Sequence, residues 1–339
     1  MNRALTFDDV ALVPQYNNIE SRTEPTLDSW LTKKIKISIP IVAANMDTVI
    51  GDKLADVMVS YGSLPIFHRF CDIKQQEFWA TEYSQCFLSF GLGYDDLEKA
   101  NSFGKVVNVC FDVAHGHCEK MVYAIRQFKI MNPDSQVIAG NVCTAQAVMD
   151  LYNAGADAVK VGIGPGAACT TRSVTGFGVP QFTAIQECAR MGQKLRIPII
   201  ADGGIRDSRD IVLALAAGAS TVMIGKLFAL TAESAAEKRQ IVGTTVLDNG
   251  LLFEAKYRGQ ASEDFQKDYF GELKSGTVPE GESFWAPISG SAKKLIDTLC
   301  GGIRSGFTYG GARNITELQR KAEFVEVTRS YHDEMAVRK

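Results

Sequence analysis

Eight short runs of apolar and mostly β-branched residues recur along the 339-residue chain, and stretches with helical spacing separate most of them. The runs are continuously apolar instead of alternating with polar residues, which is typical of strands buried on both faces of a parallel sheet. Eight strands of this kind favour a closed (β/α)8 barrel, the TIM-barrel form of the α/β class, over an open doubly wound sheet. We predict strands at 39–46, 63–70, 87–91, 106–114, 136–142, 158–162, 198–202 and 221–225.

Two of the predicted helices are followed by glycine, the usual residue just beyond a helix C-terminus. A helix over 146–154 ends at Gly155, and a helix over 208–217 ends at Gly218, with Asp207 or Ser208 as its N-cap. The segments 153–162 and 216–225 also resemble each other, as repeated helix-to-strand units of one barrel would. We therefore predict that residues 1–339 form a single barrel domain.

Composition excludes several classes of partner. The net charge of −3 offers no bulk attraction to nucleic acid or to an anionic membrane. The chain has no stretch of about 18 uncharged apolar residues and no apolar signal core at its N-terminus, so we expect no membrane partner and a cytoplasmic location. The eight cysteines include no C-x-x-C pair and the four histidines do not cluster, which indicates a reducing compartment and no transition-metal site.

One segment departs from the alternation of strand and helix. Residues from about 250 to 287 follow the eighth predicted strand and include a stretch rich in glycine, proline and glutamate. In a barrel of this type, the loops after the strands lie over the end that carries the chemistry. The segment is either a disordered excursion or a mobile flap over that end, and we favour the flap.

Polar residues and glycines follow the predicted strands at the points where the strands end. Because the carboxyl ends of parallel barrel strands meet at one rim, we expect these residues to line a single mouth. Asp112, Asn45 and Asn141 could each also be an ordinary cap or strand-end residue. The residues at the strand ends include Asn45 and Asp47, His68 and Arg69, Asp112 to Ala114, Gly140 and Asn141, Asp202 to Gly204, and Gly225 and Lys226.

The loop after the sixth predicted strand carries a cysteine. Gly162, Gly164 and Gly166 precede Cys169, and Pro165 prevents simple continuation as a helix. Such glycines let the backbone approach a ligand closely and leave carbonyls and amides free for an ion or a substrate. Cys169 is therefore a candidate nucleophile, the alternative being a buried structural cysteine beside a tight turn.

The glycine pairs after the seventh and eighth strands coincide with the usual phosphate site of phosphate-binding barrels. Asp202 is placed so that its carboxylate could accept hydrogen bonds from ribose hydroxyls, although Asp-Gly-Gly is also a common turn. The chain has no P-loop, and no G-x-G-x-x-G opens a helix in a βαβ unit. Any nicotinamide cofactor must therefore be bound without a Rossmann domain.

From Leu5 almost to the C-terminus, the chain resembles the family of IMP dehydrogenases and GMP reductases. The motifs that carry this resemblance are at 5–10, 44–48, 139–142, 162–172, 175–181, 201–205 and 309–312. The resemblance implies that Cys169 attacks carbon 2 of a purine mononucleotide and forms a thioimidate, that Thr171 aids proton transfer, and that a nicotinamide ring exchanges hydride with the nucleotide.

Further site residues are implied by the same resemblance. Potassium would bind the carbonyls of Gly164, Gly166 and Cys169. The nicotinamide cofactor would meet Arg69, Asp112, Val113 and Ala114, together with Ser21 and Arg22 from a neighbouring subunit of a homotetramer. The nucleotide would meet Asp202, Gly203, Gly204, Gly225, Lys226, Gln260, Ala261, Ser262 and Gly281.

Several features resemble the reductase branch of the family. The span between Phe70 and Phe87 is too short for the regulatory modules that dehydrogenases commonly insert, and Asp268 stands where dehydrogenases have the arginine base of the flap. Glu280 resembles the reductase glutamate that works with the threonine to release ammonia, and 21–22 and 110–114 are also similar to reductases. The resemblance therefore implies that GMP and NADPH give IMP, ammonia and NADP.

Three residues depart from the family pattern. Ala167 replaces a serine that often contacts phosphate, Lys226 replaces a glycine or serine, and Gln260 replaces a methionine near the base. We hypothesise that Lys226 makes a charge-assisted phosphate contact, the alternative being that it points to solvent. Gln260 could present its amide to a purine edge, so a modified or deazapurine nucleotide stays open as substrate.

Two further functions remain as alternatives. One is an IMP dehydrogenase without regulatory modules, which would need NAD and a base that activates water. The other is a catalytically silent nucleotide-binding regulator, against which the presence of Cys169, Thr171 and Glu280 argues.

Overall fold

The computed structural model describes residues 3–103, 107–241, 253–273, 276 and 278–335. In these parts of the chain, the strands are β1 Val10–Leu12, β2 Ser29–Trp30, β3 Lys36–Ile37, β4 Ile41–Ala43, β5 Ile66–Phe67, β6 Phe87–Phe90, β7 Asn108–Asp112, β8 Val137–Val142, β9 Ala158–Val161, β10 Ile199–Asp202, β11 Thr221–Ile224, β12 Lys238–Gln240, β13 Phe253–Arg258, β14 Ser283–Pro287 and β15 Phe324–Glu326.

Helices alternate with the central strands and continue beyond them. They are α1 Asp52–Ser60, α2 Ile73–Glu82, α3 Tyr94–Ser102, α4 Glu119–Met131, α5 Ala145–Ala154, α6 Thr171–Thr175, α7 Gln181–Leu195, α8 Ser208–Ala216, α9 Lys226–Ala229, α10 Glu263–Phe270, α11 Ala292–Tyr309, α12 Ile315–Lys321 and α13 Arg329–Met335. Among the described residues, none of the helices combines the length and apolar character that a membrane crossing requires.

The barrel is built from β4 to β11, one strand from each of the eight predicted runs. Neighbouring strands are parallel and follow the order β4-β11-β10-β9-β8-β7-β6-β5. Across the seam between β4 and β5, the Ser63 hydroxyl donates to the Ile41 carbonyl at 2.6 Å. The strands are almost wholly buried, as their continuous apolar runs predict, and the predicted (β/α)8 barrel is confirmed.

Helix ends follow the capping residues in the sequence. Thr144 caps α5 by accepting from the Ala147 amide at 3.3 Å, and α5 ends at Gly155, whose φ of +115° suits glycine. Of the two N-caps proposed for α8, Asp207 is the one observed, with its carboxylate 3.0 Å from the Asp210 amide. These caps fix where each helix leaves its strand and thus where each loop reaches the rim.

The N-terminal end of the barrel is covered by the hairpin of β2 and β3. The Ser29 hydroxyl donates to the carbonyl of Ser220, and the Thr32 hydroxyl donates to the side chain of Gln136 at 2.9 Å. Ser220 and Gln136 immediately precede strands β11 and β8, so the hairpin lies beneath the starts of the strands. The opposite rim, where the strands end, is left for the site.

The segment from about 250 to 287, which is predicted to depart from the alternation of strand and helix, contains strands and a helix where the structure describes it. Strands β12, β13 and β14 form an antiparallel sheet, and α10 lies between β13 and β14 in the chain. This sheet, with α10 and the segment 278–282, is called the flap below. Strand β12 at Lys238–Gln240 lies before the predicted start of the segment near residue 250, and it pairs with β13 of the same sheet.

Glycines on α11 allow it to pack closely against α8. A Cβ on Gly302 would lie 2.1 Å from the Ser208 hydroxyl oxygen, and one on Gly306 would lie 2.6 Å from a methyl carbon of Val212. On another face of the same helix, a Cβ on Gly301 would meet nothing within 4 Å. Gly301 and Gly306 therefore differ in packing but share a helix.

We expect Gly306→Ala to lower the free energy of unfolding by about 1–3 kcal/mol, because the added methyl overpacks the contact with Val212. Gly301→Ala is the matched control and should raise the free energy of unfolding by about 0.5–1 kcal/mol, since alanine loses less entropy in a helix. Chemical denaturation of both variants measures the difference. Equal effects of the two substitutions would contradict this packing.

Candidate active site

A buried lysine lies at the centre of the barrel mouth. Lys160, on β9, is 2% exposed, and its ammonium donates to Asp112 at 2.7 Å and to Asp202 at 2.8 Å. It also donates to the side-chain oxygen of Asn141 at 2.5 Å. Strands β7, β8 and β10, which lie on either side of β9 in the barrel, thus each direct a polar side chain toward this cation.

The two carboxylates keep this lysine charged. Burial alone would lower the pKa of Lys160, but the attraction of Asp112 and Asp202 outweighs burial and raises its pKa above the ordinary value of a lysine. Sequence reasoning missed Lys160 because it treated 158–161 as an apolar strand. A lysine inside such a buried run was the available signal, since an unpaired charge is rarely buried there.

Two asparagines extend the network. Asn141 donates to Asp202 at 2.9 Å and to the Gly162 carbonyl at 2.7 Å, which joins the network to the cysteine loop. Asn45 donates to Asp112 at 3.0 Å and to the Ser89 hydroxyl at 2.9 Å. Residues predicted at four different strand ends are therefore joined in one network through Lys160, as a single mouth requires.

The glycines of the cysteine loop allow close backbone contacts. Gly162 has a φ of +153°, and a Cβ there would lie 2.0 Å from the carbonyl oxygen of Asp202. The Arg172 guanidinium donates to the carbonyls of Val179 at 2.7 Å and Ile163 at 3.3 Å. The loop is thus held from both sides by backbone atoms and by one arginine.

The loop brings Cys169 next to a hydroxyl. The Cys169 Sγ lies 3.2 Å from the Thr171 Oγ1, and Thr171 begins the short helix α6. Cys169 is half-buried and forms no disulfide. This geometry lets a proton move between the thiol and the hydroxyl, which suits a nucleophile with an adjacent acid-base group.

The flap is hydrogen-bonded to the cysteine loop through backbone groups. The Thr170 amide donates to the Glu280 carbonyl at 3.0 Å, and the Glu282 amide donates to the Ala168 carbonyl at 2.9 Å. A Cβ on Gly281 would lie 3.1 Å from the Ala168 carbonyl oxygen, so the two segments approach closely. Glu280 and Gly281, which sequence reasoning assigned to the site, therefore lie beside Cys169.

Two flap side chains reach the barrel rim. Gln260 donates to the Asn45 carbonyl at 2.9 Å. The Tyr257 hydroxyl lies 3.8 Å from the Met46 sulfur, and a Cβ on Gly225 would lie 2.8 Å from that hydroxyl. Burial raises the pKa of Tyr257, with smaller contributions from Asp202 and Cys169, so the tyrosine stays neutral. Sequence reasoning missed Tyr257 because its position depends on the flap.

The other residues predicted to bind substrate are divided between the rim and the flap. Gly203 and Gly204 follow β10 and lie against Pro165 of the cysteine loop. Lys226 begins α9, is exposed, and has its ammonium 5.3 Å from the Phe284 ring centroid. Ser262 is buried as the N-cap of α10, where its hydroxyl accepts from the Phe265 amide at 3.2 Å, and Ala261 accepts from the Glu280 amide at 3.0 Å.

The residues predicted to bind a cofactor fall into two groups. Asp112, Val113, Ala114 and Arg69 lie at the mouth, where a Cβ on Gly91 would be 3.1 Å from the Arg69 guanidinium. Ser21 and Arg22 are exposed and lie in the segment that leads into the hairpin beneath the barrel. No hydrogen bond between described residues joins this pair to the mouth of the same chain.

A histidine lies beside the mouth but carries no charge. His68 follows β5, is buried against Trp79, and accepts from the Phe70 amide at 3.2 Å. Burial lowers the pKa of His68 to about 4, although Asp47 partly opposes the shift. Within the described residues, no group of three or more histidines, cysteines or acidic residues could hold a metal ion.

An arginine of the flap binds the barrel rim. Arg258, at the end of β13, donates to one carboxylate oxygen of Asp47 at 2.7 and 3.0 Å, and it also pairs with Asp268 of α10. The side chains of Arg258 and Asp47 are 15% and 16% exposed, so water screens the pair only weakly. This contact anchors the flap above β4, and sequence reasoning did not identify it.

Fold and site together define a (β/α)8 barrel that carries Cys169 in a glycine-rich loop beneath a flap. Residues 4–82 and 88–338 match the family described as IMP dehydrogenase / GMP reductase domain. The chain therefore belongs to this family, whose members are oxidoreductases.

Individual relatives come from both branches of the family. Human GMP reductase 1 is 35% identical over 340 residues, covering 97% of this chain and 96% of its own. Inosine-5'-monophosphate dehydrogenase of Cryptosporidium parvum is 35% identical over 385 residues, covering 97% and 94%. A GMP reductase variant from Trypanosoma brucei, crystallised with guanosine 5'-monophosphate, shares the fold with a TM-score of 0.90 at 24% identity, covering 100% of this chain and 98% of that chain.

We expect Arg258→Gln to increase amide hydrogen exchange at 259–262 by about tenfold or more, because hydrogen bonds to charged groups contribute about 1.5–3 kcal/mol each. Lys267→Gln on α10 is the matched control, since Lys267 and its partner Glu263 are both more than half exposed and such pairs contribute little. Hydrogen-exchange mass spectrometry measures both. Unchanged exchange in Arg258→Gln, or an equal increase in the control, would refute the anchoring role.

Proposed function

We propose that this protein reduces GMP with NADPH and releases IMP, ammonia and NADP. The observation that carries the proposal is the distance of 3.2 Å between the Cys169 thiol and the Thr171 hydroxyl. The amide of Thr170, the residue between these two, donates a hydrogen bond to the backbone carbonyl of Glu280. Sequence identity does not separate the branches, because a reductase and a dehydrogenase are each 35% identical to the chain. The choice therefore depends on the residues of the flap.

The flap favours the reductase. A dehydrogenase of this family would need a flap arginine as the base that activates water, and Asp268 stands at the corresponding position. Asp268 is paired with Arg258 and carries the opposite charge to that base. Glu280 instead supplies a carboxyl group on the segment that borders the cysteine loop, as an acid-base partner for ammonia release requires.

The reaction balances in two steps. The Cys169 thiolate adds to carbon 2 of the guanine ring, and the amino group leaves that carbon as ammonia after it accepts a proton through Thr171 and Glu280. Hydride then adds to carbon 2 of the resulting thioimidate, and the carbon–sulfur bond breaks to give IMP and the free thiolate. NADPH supplies the hydride.

Nucleotide binding would use the rim between the cysteine loop and the flap. Asp202 uses one carboxylate oxygen for Lys160 and Asn141, so its other oxygen is available to ribose hydroxyls. The backbone amides of Gly203, Gly204 and Gly225 would hold the phosphate, and Lys226 would add a charge-assisted contact. The segment of Gln260, Ala261, Ser262 and Gly281 would border the base.

Cofactor binding would use the other side of the mouth. Asp112, Val113, Ala114 and Arg69 lie at the ends of β7 and β5, next to the network that contains Asp202. Ser21 and Arg22 are exposed, and no hydrogen bond between described residues joins them to the mouth of their own chain, which suits a contribution to the site of a neighbouring subunit. We accordingly propose a homotetramer in which each site is completed by the next chain.

A potassium ion would fit the cysteine loop. Gly164 has a φ of +87°, and no hydrogen bond from a described residue reaches its carbonyl or that of Cys169. The carbonyl of Gly166 accepts from the Cys169 amide at 3.0 Å and keeps a second lone pair. These three carbonyls would hold potassium and keep the loop in the shape that presents the thiol.

The proposed chemistry also requires a reduced thiol. All eight cysteines are free, which fits the reducing cytoplasm that we propose as the location.

A reductase for a modified purine nucleotide is a second candidate. The side-chain nitrogen of Gln260 donates a hydrogen bond to the carbonyl of Asn45, which leaves the side-chain oxygen of Gln260 available as an acceptor at the edge of the base. A methionine, the usual residue of the family at this position, offers only a weak acceptor. A purine with an additional hydrogen-bond donor on that edge would bind better beside Gln260 than beside a methionine.

We expect NADPH absorbance to fall when GMP is added, and no NADH to form from NAD and IMP. Cys169→Ala should abolish turnover because the covalent step is lost, whereas Cys300→Ala, on the outer helix α11, should retain most of it. Reduction of NAD by IMP would favour the dehydrogenase. No change with either pair would leave the modified purine or the silent regulator, and full activity of Cys169→Ala would overturn the proposed chemistry.

We expect Glu280→Gln to lower kcat for GMP by about 10²–10⁴-fold, since positioned acid-base groups contribute that much to proton transfer. Glu282→Gln is the matched control, because Glu282 is exposed and two residues further along the same segment. Steady-state assays with NADPH measure both. A comparable loss in the two variants would indicate a structural role for this segment instead of proton transfer by Glu280.

A further inference from the structure

Lys160 has no part in the reaction steps above, although it is the most completely buried charge at the mouth. Its ammonium is held by one carboxylate from each side, Asp112 at 2.7 Å and Asp202 at 2.8 Å. Under the proposed function, Asp112 belongs to the cofactor side and Asp202 to the nucleotide side. A single cation therefore contacts both halves of the site.

We propose that Lys160 is a positioning residue that keeps Asp112 and Asp202 in place as anions, so that nucleotide and cofactor can bind side by side. This inference rests on the proposed function for the assignment of the two sides. Lys160 itself is too buried to reach a ligand, and it acts through the two carboxylates.

Like charge makes such a cation necessary. One oxygen of Asp112 and one oxygen of Asp202 contact the same ammonium, so these two oxygens lie within about 5.5 Å of each other. Like charges in a partly buried site disfavour each other's ionised form, so removal of the counter-charge favours uptake of a proton by one of the two carboxylates. A protonated Asp202 would accept ribose hydroxyls less well and would turn one of its oxygens into a donor.

The other groups that face this cluster do not supply the missing charge. Cys110 lies on the same strand as Asp112, and burial raises its pKa to about 12. Tyr257 faces Asp202 from the flap and stays neutral because burial raises its pKa. Cys169 also faces Tyr257, and as a thiolate it would add negative charge. Asn45 and Asn141 are neutral, so among the described residues that contact the two carboxylates Lys160 is the cation.

The directions of the hydrogen bonds support the same role. Asn141 accepts from Lys160 through its oxygen and donates to Asp202 and to the Gly162 carbonyl through its nitrogen. With the lysine in place, each of these groups has a partner of the correct type. Without the ammonium, the Asn141 oxygen would face two carboxylates with no donor between them.

The test compares Lys160→Met, which removes the charge at similar length, with Lys160→Arg, which keeps it. In Lys160→Met we expect the infrared band of a protonated carboxyl group at neutral pH, assigned by isotope labelling of aspartate, and no such band in the parent or in Lys160→Arg. Adding Asp112→Asn to Lys160→Met should remove the band, because the like charge is then gone. These spectra need no ligand and no turnover.

Calorimetric binding of GMP provides the second measurement. We expect the affinity of Lys160→Met for GMP to fall by up to about tenfold per pH unit as the pH is lowered from 8 to 6, because protonation of the carboxylate competes with binding. The parent and Lys160→Arg should change little over this range. The double variant with Asp112→Asn should recover the flat profile, which a variant that merely folds poorly would not do.

The outcomes separate the two proposals. Absence of the carboxyl band in Lys160→Met overturns the role of Lys160, and so does a band accompanied by unchanged GMP affinity at every pH. If the parent binds GMP but does not oxidise NADPH with it, the proposed function fails while the inference on Lys160 stands on the spectra and the binding profile.

Discussion

The contact between one buried ammonium and two carboxylates organises the mouth of this barrel. Lys160 on β9 joins Asp112 on β7 to Asp202 on β10, and Asn141 on β8 lies between them. A buried charge stabilises a fold only when its partners are in place, because an unpaired ion in the interior is strongly unfavourable. The same contact that satisfies Lys160 therefore sets where the strand ends stand relative to one another.

The cysteine loop takes its shape from two neighbours. On the barrel side, Asn141 bonds to the Gly162 carbonyl, so the start of the loop is tied to the lysine network. On the flap side, backbone bonds from Thr170 and Glu282 hold the segment around Cys169. The loop is thus held on one side by the buried lysine network and on the other by backbone hydrogen bonds at the rim.

The barrel could be predicted from the sequence because eight continuous apolar runs, separated by helical stretches, are compatible with few folds besides a closed parallel sheet. The glycines around Cys169 singled it out as a candidate nucleophile, and the structure places its sulfur 3.2 Å from the Thr171 hydroxyl, while its catalytic role stays a prediction. The burial of Lys160 had a signal in the sequence, but its partners did not, and neither did the contacts of Tyr257 and Arg258, since each depends on residues distant in the chain. Arg258 meets Asp47 only once β13 is folded over β4. The short β12 was not predicted, because its three residues form a strand only by pairing with β13.

The charges of the flap and of the barrel mouth both bear on whether the site releases ammonia or activates water. A base that activates water must accept a proton from it, which a charged guanidinium cannot do. Arg258, the arginine that joins the flap to the rim, is held in ion pairs with Asp47 and Asp268. The carboxyl of Glu280 carries the opposite charge and can shuttle a proton to a departing amine. Under the proposed function, a flap that uses this arginine for anchoring and borders the cysteine loop with Glu280 therefore favours proton transfer to a departing amine.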